Sequence, residues 1–226
     1  MKLLAVDTAF EACSVAVGAD GDLEECYAVA PRAHARLLLP WIGELLRLRG
    51  LRLGDLDAIA FSRGPGSFTS LRIGTGVVQG LAFGAGLPVV PVSSLQATAE
   101  TARRERGEAL STALVAMDAR MEEVFAARFE WRDGFMRPAG EERVLPPDAA
   151  AALARPGDVG VGSGFARYQA LFGDAGPPER MAHSWPRAGA VLALAQDWLG
   201  RHEALPPEQA QPVYLRDRVA ERPGGL

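Results

Sequence analysis

One pattern constrains this chain more than any other, because it occurs twice: a short apolar run closed by an aspartate. Leu3 to Val6 runs into Asp7, and Ala113 to Met117 runs into Asp118. Each run is followed by a second apolar segment with a tight-turn signal. In the first half Cys13 to Val17 leads into Ala19-Asp20-Gly21-Asp22, with Leu23 to Val29 returning. In the second, Val124 to Trp131 leads into Arg132-Asp133-Gly134. Two halves that open alike predict a duplicated fold. The 226 residues suffice for one large domain or two lobes. The charged run Arg103-Arg104-Glu105-Arg106-Gly107 marks the boundary, giving lobes at 1–104 and 105–226.

Composition removes several classes. With 48% apolar and 23% charged residues the chain is an ordinary globular protein. No apolar run approaches the roughly 20 residues of a membrane span, and the N-terminal apolar stretch is too short for a signal peptide, so a cytoplasmic address is expected. Cys13 and Cys26 are too few for a disulfide scaffold or a four-cysteine zinc site, and Cys13 reads as a small buried hydrophobe. A net charge of −4 disfavours an autonomous grip on nucleic acid. Lys2 is the sole lysine among 24 basic residues, a skew from which no function follows.

Between the hairpins, His34 to Arg49 reads as a helix whose apolar arc covers roughly 200°, about twice that of an ordinary surface helix. Leu37, Trp41, Leu45 and Leu48 lie within that arc, so the helix is either buried on two sides or carries a partner surface. Asp57 to Phe61 is a buried strand, followed by a sharp turn and a helix from Phe68 to Ala85. Gly76, Gly80 and Gly84 form a stripe down that helix, each costing about 0.5–1 kcal/mol against alanine, which calls for close backbone approach by something. Pro88 to Val92 is a strand and Ser94 to Arg106 a polar helix. Pro146 to Ala154, Gly164 to Phe172 and Ala188 to Leu199 are further helices, with Val159 to Val161 a strand. The Pro- and charge-rich tail from Pro206 is expected to fray.

The chemistry-bearing residues are few. His34, His183 and His202 stand apart from any second ligand at zinc-protease spacing, and no Gly-x-Ser-x-Gly elbow exists. No metal site is expected. Arg63-Gly64-Pro65-Gly66-Ser67-Phe68-Thr69 sits between a strand and a helix N-terminus, where backbone amides collect anions. It lacks the lysine of a Walker loop, so Ser67 reads either as a helix cap or as part of a phosphate cradle. Asp7 suits the magnesium–phosphate acid of an actin-like ATPase. The second-lobe loop Gly160-Val161-Gly162-Ser163-Gly164, however, carries no acid, and Asp118 is followed by Ala119-Arg120 rather than glycine. Half a nucleotide site is present, which argues against an independent kinase.

Four stretches closely resemble the TsaB (YeaZ) family: Val6 to Val17, Arg63 to Gly74, Met117 to Phe125, and Pro212 to Arg216. The resemblance implies an α/β fold of the actin-like ATPase/RNase H-like kind, two lobes each holding a mixed sheet of five-stranded type flanked by helices. It implies a non-catalytic scaffold that supports TsaD in forming N6-threonylcarbamoyladenosine in tRNA. It would bind TsaD as a heterodimer, receive the ATPase TsaE, pair with itself when isolated, and meet tRNA only through the complex, away from membranes. The metal-binding histidine pair of TsaD falls on Ser94 and Thr98 here, neither a strong ligand. The partner interface would comprise Leu37, Trp41, Leu45 and Leu48 with Arg72, Gly76, Gly80 and Gly84. Asp7, Arg63, Gly64, Gly66 and Ser67 would frame a shared site for ATP or ADP at the subunit junction, with no cofactor of the chain's own. The alternative is a self-sufficient actin-like small-molecule kinase, with a protease or a plain homodimer as further rivals.

Overall fold

The computed structural model describes residues 1–19 and 22–216. The predicted turn at Asp20-Gly21 and the end of the tail therefore lie outside the described residues. β1 (Lys2–Asp7) pairs antiparallel with β2 (Ala12–Ala19), which pairs antiparallel with β3 (Asp22–Val29). After α1 (His34–Leu48), β4 (Ala58–Gly64) joins the other side of β1 in parallel. α2 (Phe68–Ala85) then leads to β5 (Val89–Ser93), parallel to β4. α3 (Ser94–Arg106) crosses to the second sheet.

There the same wiring repeats. β6 (Thr112–Arg120) pairs antiparallel with β7 (Glu123–Arg132), and β7 with β8 (Phe135–Pro138) and the short β9 (Arg143–Leu145). Beyond α4 (Pro147–Ala151), β10 (Val159–Val161) joins β6 in parallel. α5 (Ser163–Arg167) and α6 (Gln169–Phe172) lead to β11 (Arg180–Met181), parallel to β10. Both sheets thus share three antiparallel strands extended by two parallel ones, the duplicated α/β arrangement expected, with β9 as a sixth strand in the second. α7 (Ala188–Leu199) closes the set. Although it comes from the C-terminal half, it lies on the first sheet, its Ala188, Val191, Leu192 and Ala195 packing on Leu3, Ala5 and Ala16.

Each sheet is covered on both faces, which is why β1 reads as an unbroken apolar run. Leu4 and Val6 meet Leu38, Ile42, Leu45 and Leu46 of α1 and Val78 and Ala82 of α2. Burying each such large side chain is worth roughly 1.5–3 kcal/mol. The wide apolar arc of α1 is therefore split between core and exterior: Leu37 and Trp41 are half-buried at the seam, and Leu39 and Leu48 are exposed.

α3 is the polar helix expected, and several of its polar side chains lie inside the protein. Ser94, Thr98, Glu100 and Thr101 are all buried. Their polarity is absorbed locally: Thr98 and Thr101 hydroxyls donate to the carbonyls of Ser94 and Ala97, and Glu100 takes Arg104 and the Met136 amide. The charged run after it is the helix's last turn, with Arg103 stacked on Trp131 at 4.2 Å. The tail departs from expectation as far as residue 216. Ala210 is buried in the first core, and the Val213 amide donates to the Arg63 carbonyl at 2.7 Å.

Candidate functional site

The Gly-Pro-Gly turn is a backbone junction before it is anything else. The Ser67 amide donates to the Ala9 carbonyl at 2.8 Å, drawing the loop after β1 against the loop after β4. A Cβ at Gly66 would collide with that carbonyl, and one at Gly64 would lie 2.6 Å from the Val213 carbonyl. Gly64 also has φ +109, a conformation that side chains avoid. Two helical turns on, a Cβ at Gly74 would collide with the Thr8 hydroxyl, which donates to the Ser70 carbonyl at 2.8 Å. Three segments of chain meet here with no room for side chains.

Beside the junction opens a cleft of about 1000 Å³ between the two sheets. The first half contributes Phe10, Glu11 and the start of α2, and the second contributes Asp118 to Met121 and Phe125. Residues 213–216 also line it, as a strap tied to Arg63 at one end and to Glu123 at the other. Ser67 stands at the N-cap of α2 but its hydroxyl makes no capping bond. The first amides of an 18-residue helix thus face the cleft with the positive end of its dipole. Opposite, Arg120, Met121 and Glu122 all adopt positive φ (+63, +54 and +56), a tight reversal joining β6 to β7. It is pinned from three sides. The Asp118 carboxylate takes the Arg120 amide at 2.8 Å and the Tyr168 hydroxyl at 2.9 Å, and Arg120 reaches across to Glu11 at 2.6 Å. Arg216 pairs with Glu123. Burial, reinforced by Asp118, pushes the Tyr168 hydroxyl's pKa up.

Of the residues expected to frame a nucleotide site, Gly66 and Ser67 line this cleft and Asp7, Arg63 and Gly64 do not. Asp7 is fully buried beneath the sheet end. Its Oδ1 accepts from the Ala9 amide at 3.3 Å, while Oδ2 and the nearby Ser62 hydroxyl have no partner of hydrogen-bond geometry. Burial pushes its carboxyl up to about 7, against the pull of Ser62 and the Ala9 amide. Enclosed in this way, Asp7 does not line the cleft of the free chain. The same burial, with Asp7 beside it, pushes the Cys13 thiol up to about 12, so Cys13 is an inert core residue.

Arg63 turns away from the cleft to Glu142 of the second half, at 3.6 Å. Glu142 also takes the Ser93 hydroxyl, and burial pushes its carboxyl up against the pull of both partners. Ser94 and Thr98 sit buried at the start of α3, the Ser94 hydroxyl without a partner. Among the described residues no three of His, Cys, Asp and Glu converge as a metal centre. The ties Glu11–Arg120, Arg63–Glu142 and the strap itself were illegible in spacing, since their partners are far apart in sequence.

The expected partner face divides sharply. Gly76, Gly80 and Gly84 are exposed, and a Cβ at any of them would meet nothing within 4 Å. The close approach their spacing calls for is therefore not made by this chain. Phe83 beside them is 78% exposed, Leu39 52% and Leu48 57%. Leu45 is the exception. At 2% exposed it belongs to the core under α1 and is not available to a partner, because the helix turns that side of its arc to the sheet. Arg72 is exposed on the same side of α2 as Gly76 and Gly80, stacked on Phe68 at 3.9 Å.

A family model described as "TsaD: tRNA N6-adenosine threonylcarbamoyltransferase" matches residues 28–198. The chain is 39% identical to the tRNA threonylcarbamoyladenosine biosynthesis protein TsaB of Escherichia coli, over 97% of this chain and 96% of that one. It is 38% identical to the protein of the same name from Haemophilus influenzae, over 97% and 95%. The solved structure of YeaZ from Pseudomonas aeruginosa superposes with a TM-score of 0.87 at 43% identity, covering 95% of this chain and 99% of that one.

Proposed function

The chain belongs to the TsaB (YeaZ) family, and from that premise we propose that it serves tRNA threonylcarbamoyladenosine biosynthesis as a non-catalytic scaffold, docking a TsaD-type subunit on α1 and α2. The open glycine track of α2, flanked by the exposed Phe83, carries this reading. Small residues at every fourth position let a second helix approach closely, and an apolar patch of this kind is kept out of water by a partner. Leu37, Trp41 and Leu48 extend the patch along α1. In the absence of TsaD a second copy would cover the same face.

The chain's own chemistry supports a supporting role. The buried Asp7 is withdrawn from the cleft, and Ser94 and Thr98 supply no metal ligands where TsaD carries its histidines. A nucleotide, ATP or ADP, would be held at the junction by the α2 amides and the Gly66–Ser67 turn rather than by Asp7. TsaE would join the assembled pair, and tRNA would meet the chain only there.

The test is Phe83→Glu. It should leave the far-ultraviolet circular dichroism unchanged, abolish co-elution with TsaD of the same organism, and lower threonylcarbamoyladenosine in tRNA when it replaces the wild type. Undiminished co-elution overturns the docking face. Calorimetry of the isolated chain with Mg-ATP tests the kinase alternative, which predicts micromolar binding and turnover without a second subunit.

A further inference from the structure

Phe68 and Tyr214 both line the cleft, yet the cation stacked on Phe68 comes from the outer face of α2. Arg72 lies 3.9 Å from the Phe68 ring and donates from Nε to the Tyr214 hydroxyl at 3.1 Å. The Tyr214 ring packs on Phe68 at 5.3 Å. Arg72 is one helical turn before Gly76 and two before Gly80, so it heads the open glycine track. Tyr214 stands in the strap, between Val213, bonded to Arg63, and Arg216, paired with Glu123. The stack is partly exposed, Phe68 at 37% and Tyr214 at 38%. Water therefore screens it in the free chain.

We infer that the Phe68–Arg72–Tyr214 stack couples the outer face of α2 to the cleft, so that a helix seated on the glycine track tightens the strap that lines the cleft. This rests on the docking reading above. A cation over a ring gains severalfold in strength when water is removed from it. Covering Arg72 does that, and Arg72 in turn holds Tyr214. Coupling of this kind is reciprocal, so a ligand that orders the strap also favours the docked helix.

Hydrogen exchange on the full chain, alone and mixed with TsaD of the same organism, reads both sites at once. Docking should slow exchange in α1 and α2, and slow residues 213–216 by about fivefold as well. Tyr214→Ala should keep the slowing in the helices and lose it in the strap. Unchanged strap exchange while the helices slow overturns the inference and leaves the docking reading standing. Absence of slowing in the helices overturns both. If Tyr214→Ala frees the strap even without TsaD, Tyr214→Phe decides. It keeps the ring, loses the bond from Arg72, and should show at most half of the wild-type slowing; full slowing overturns the coupling.

Discussion

Asp7 is an acid placed where water does not reach it, and its effect on stability has a definite sign. The native carboxyl titrates at about 7, the unfolded one near 3.8. Between those values the folded chain holds a proton that the unfolded chain releases, so stability falls as pH rises from 3.8 to about 7 and levels off above. Asp7→Asn removes this slope. Urea midpoints should coincide for wild type and variant near pH 4 and favour the variant at pH 8. The glycines of α2 give a matched pair at the same scale. Gly74→Ala drives a methyl into Thr8 and should cost about 1–3 kcal/mol, read as a lower melting temperature. Gly76→Ala enters open space and should leave the free chain unharmed or up to about 1 kcal/mol more stable.

For the helices, stability and association come apart. Gly80→Ala should raise the melting temperature of the dilute monomer by the helix preference of alanine, and weaken its affinity for TsaD by removing room for the second helix. A variant that stabilises the chain and also binds as well as wild type would show that the track is unused. The positions of α1 and α2 were legible because their apolar and glycine periodicities are local. The rotation of α1 was not, since an arc of roughly 200° fits several orientations and the sheet alone decides that Leu45 points inward while Leu48 does not. The burial of α3 was illegible for a different reason. Its serines and threonines look solvent-facing in composition, but hydroxyls that bond their own helix carbonyls can be buried. The Gly-Pro-Gly turn was located by its motif. Its job as a packing junction became visible only with Ala9 and Val213 beside it.

Across the whole molecule the two sheets are fastened at several points. Arg137 of β8 clasps Asp197 of α7 with two bonds of 2.6 and 2.8 Å, and Glu142 takes both Ser93 and Arg63. Glu11 meets Arg120 across the cleft, and α3 runs buried beside both sheets. Two sheets so fastened should unfold together. Variants that retain only Trp41, in the first half, or only Trp131, in the second, should report the same urea midpoint by fluorescence. Separate midpoints would mean that the halves melt independently. Arg137→Ala should lower both midpoints equally.

These fastenings make the molecule a gauge. A hinged kinase changes the spacing of its lobes as it works, whereas here the distance from the glycine track to the Gly-Pro-Gly junction at the head of the same helix is set once, when the chain folds. Any assembly built on this chain inherits that spacing, and a subunit seated on one side is presented to whatever occupies the other at a fixed offset and angle.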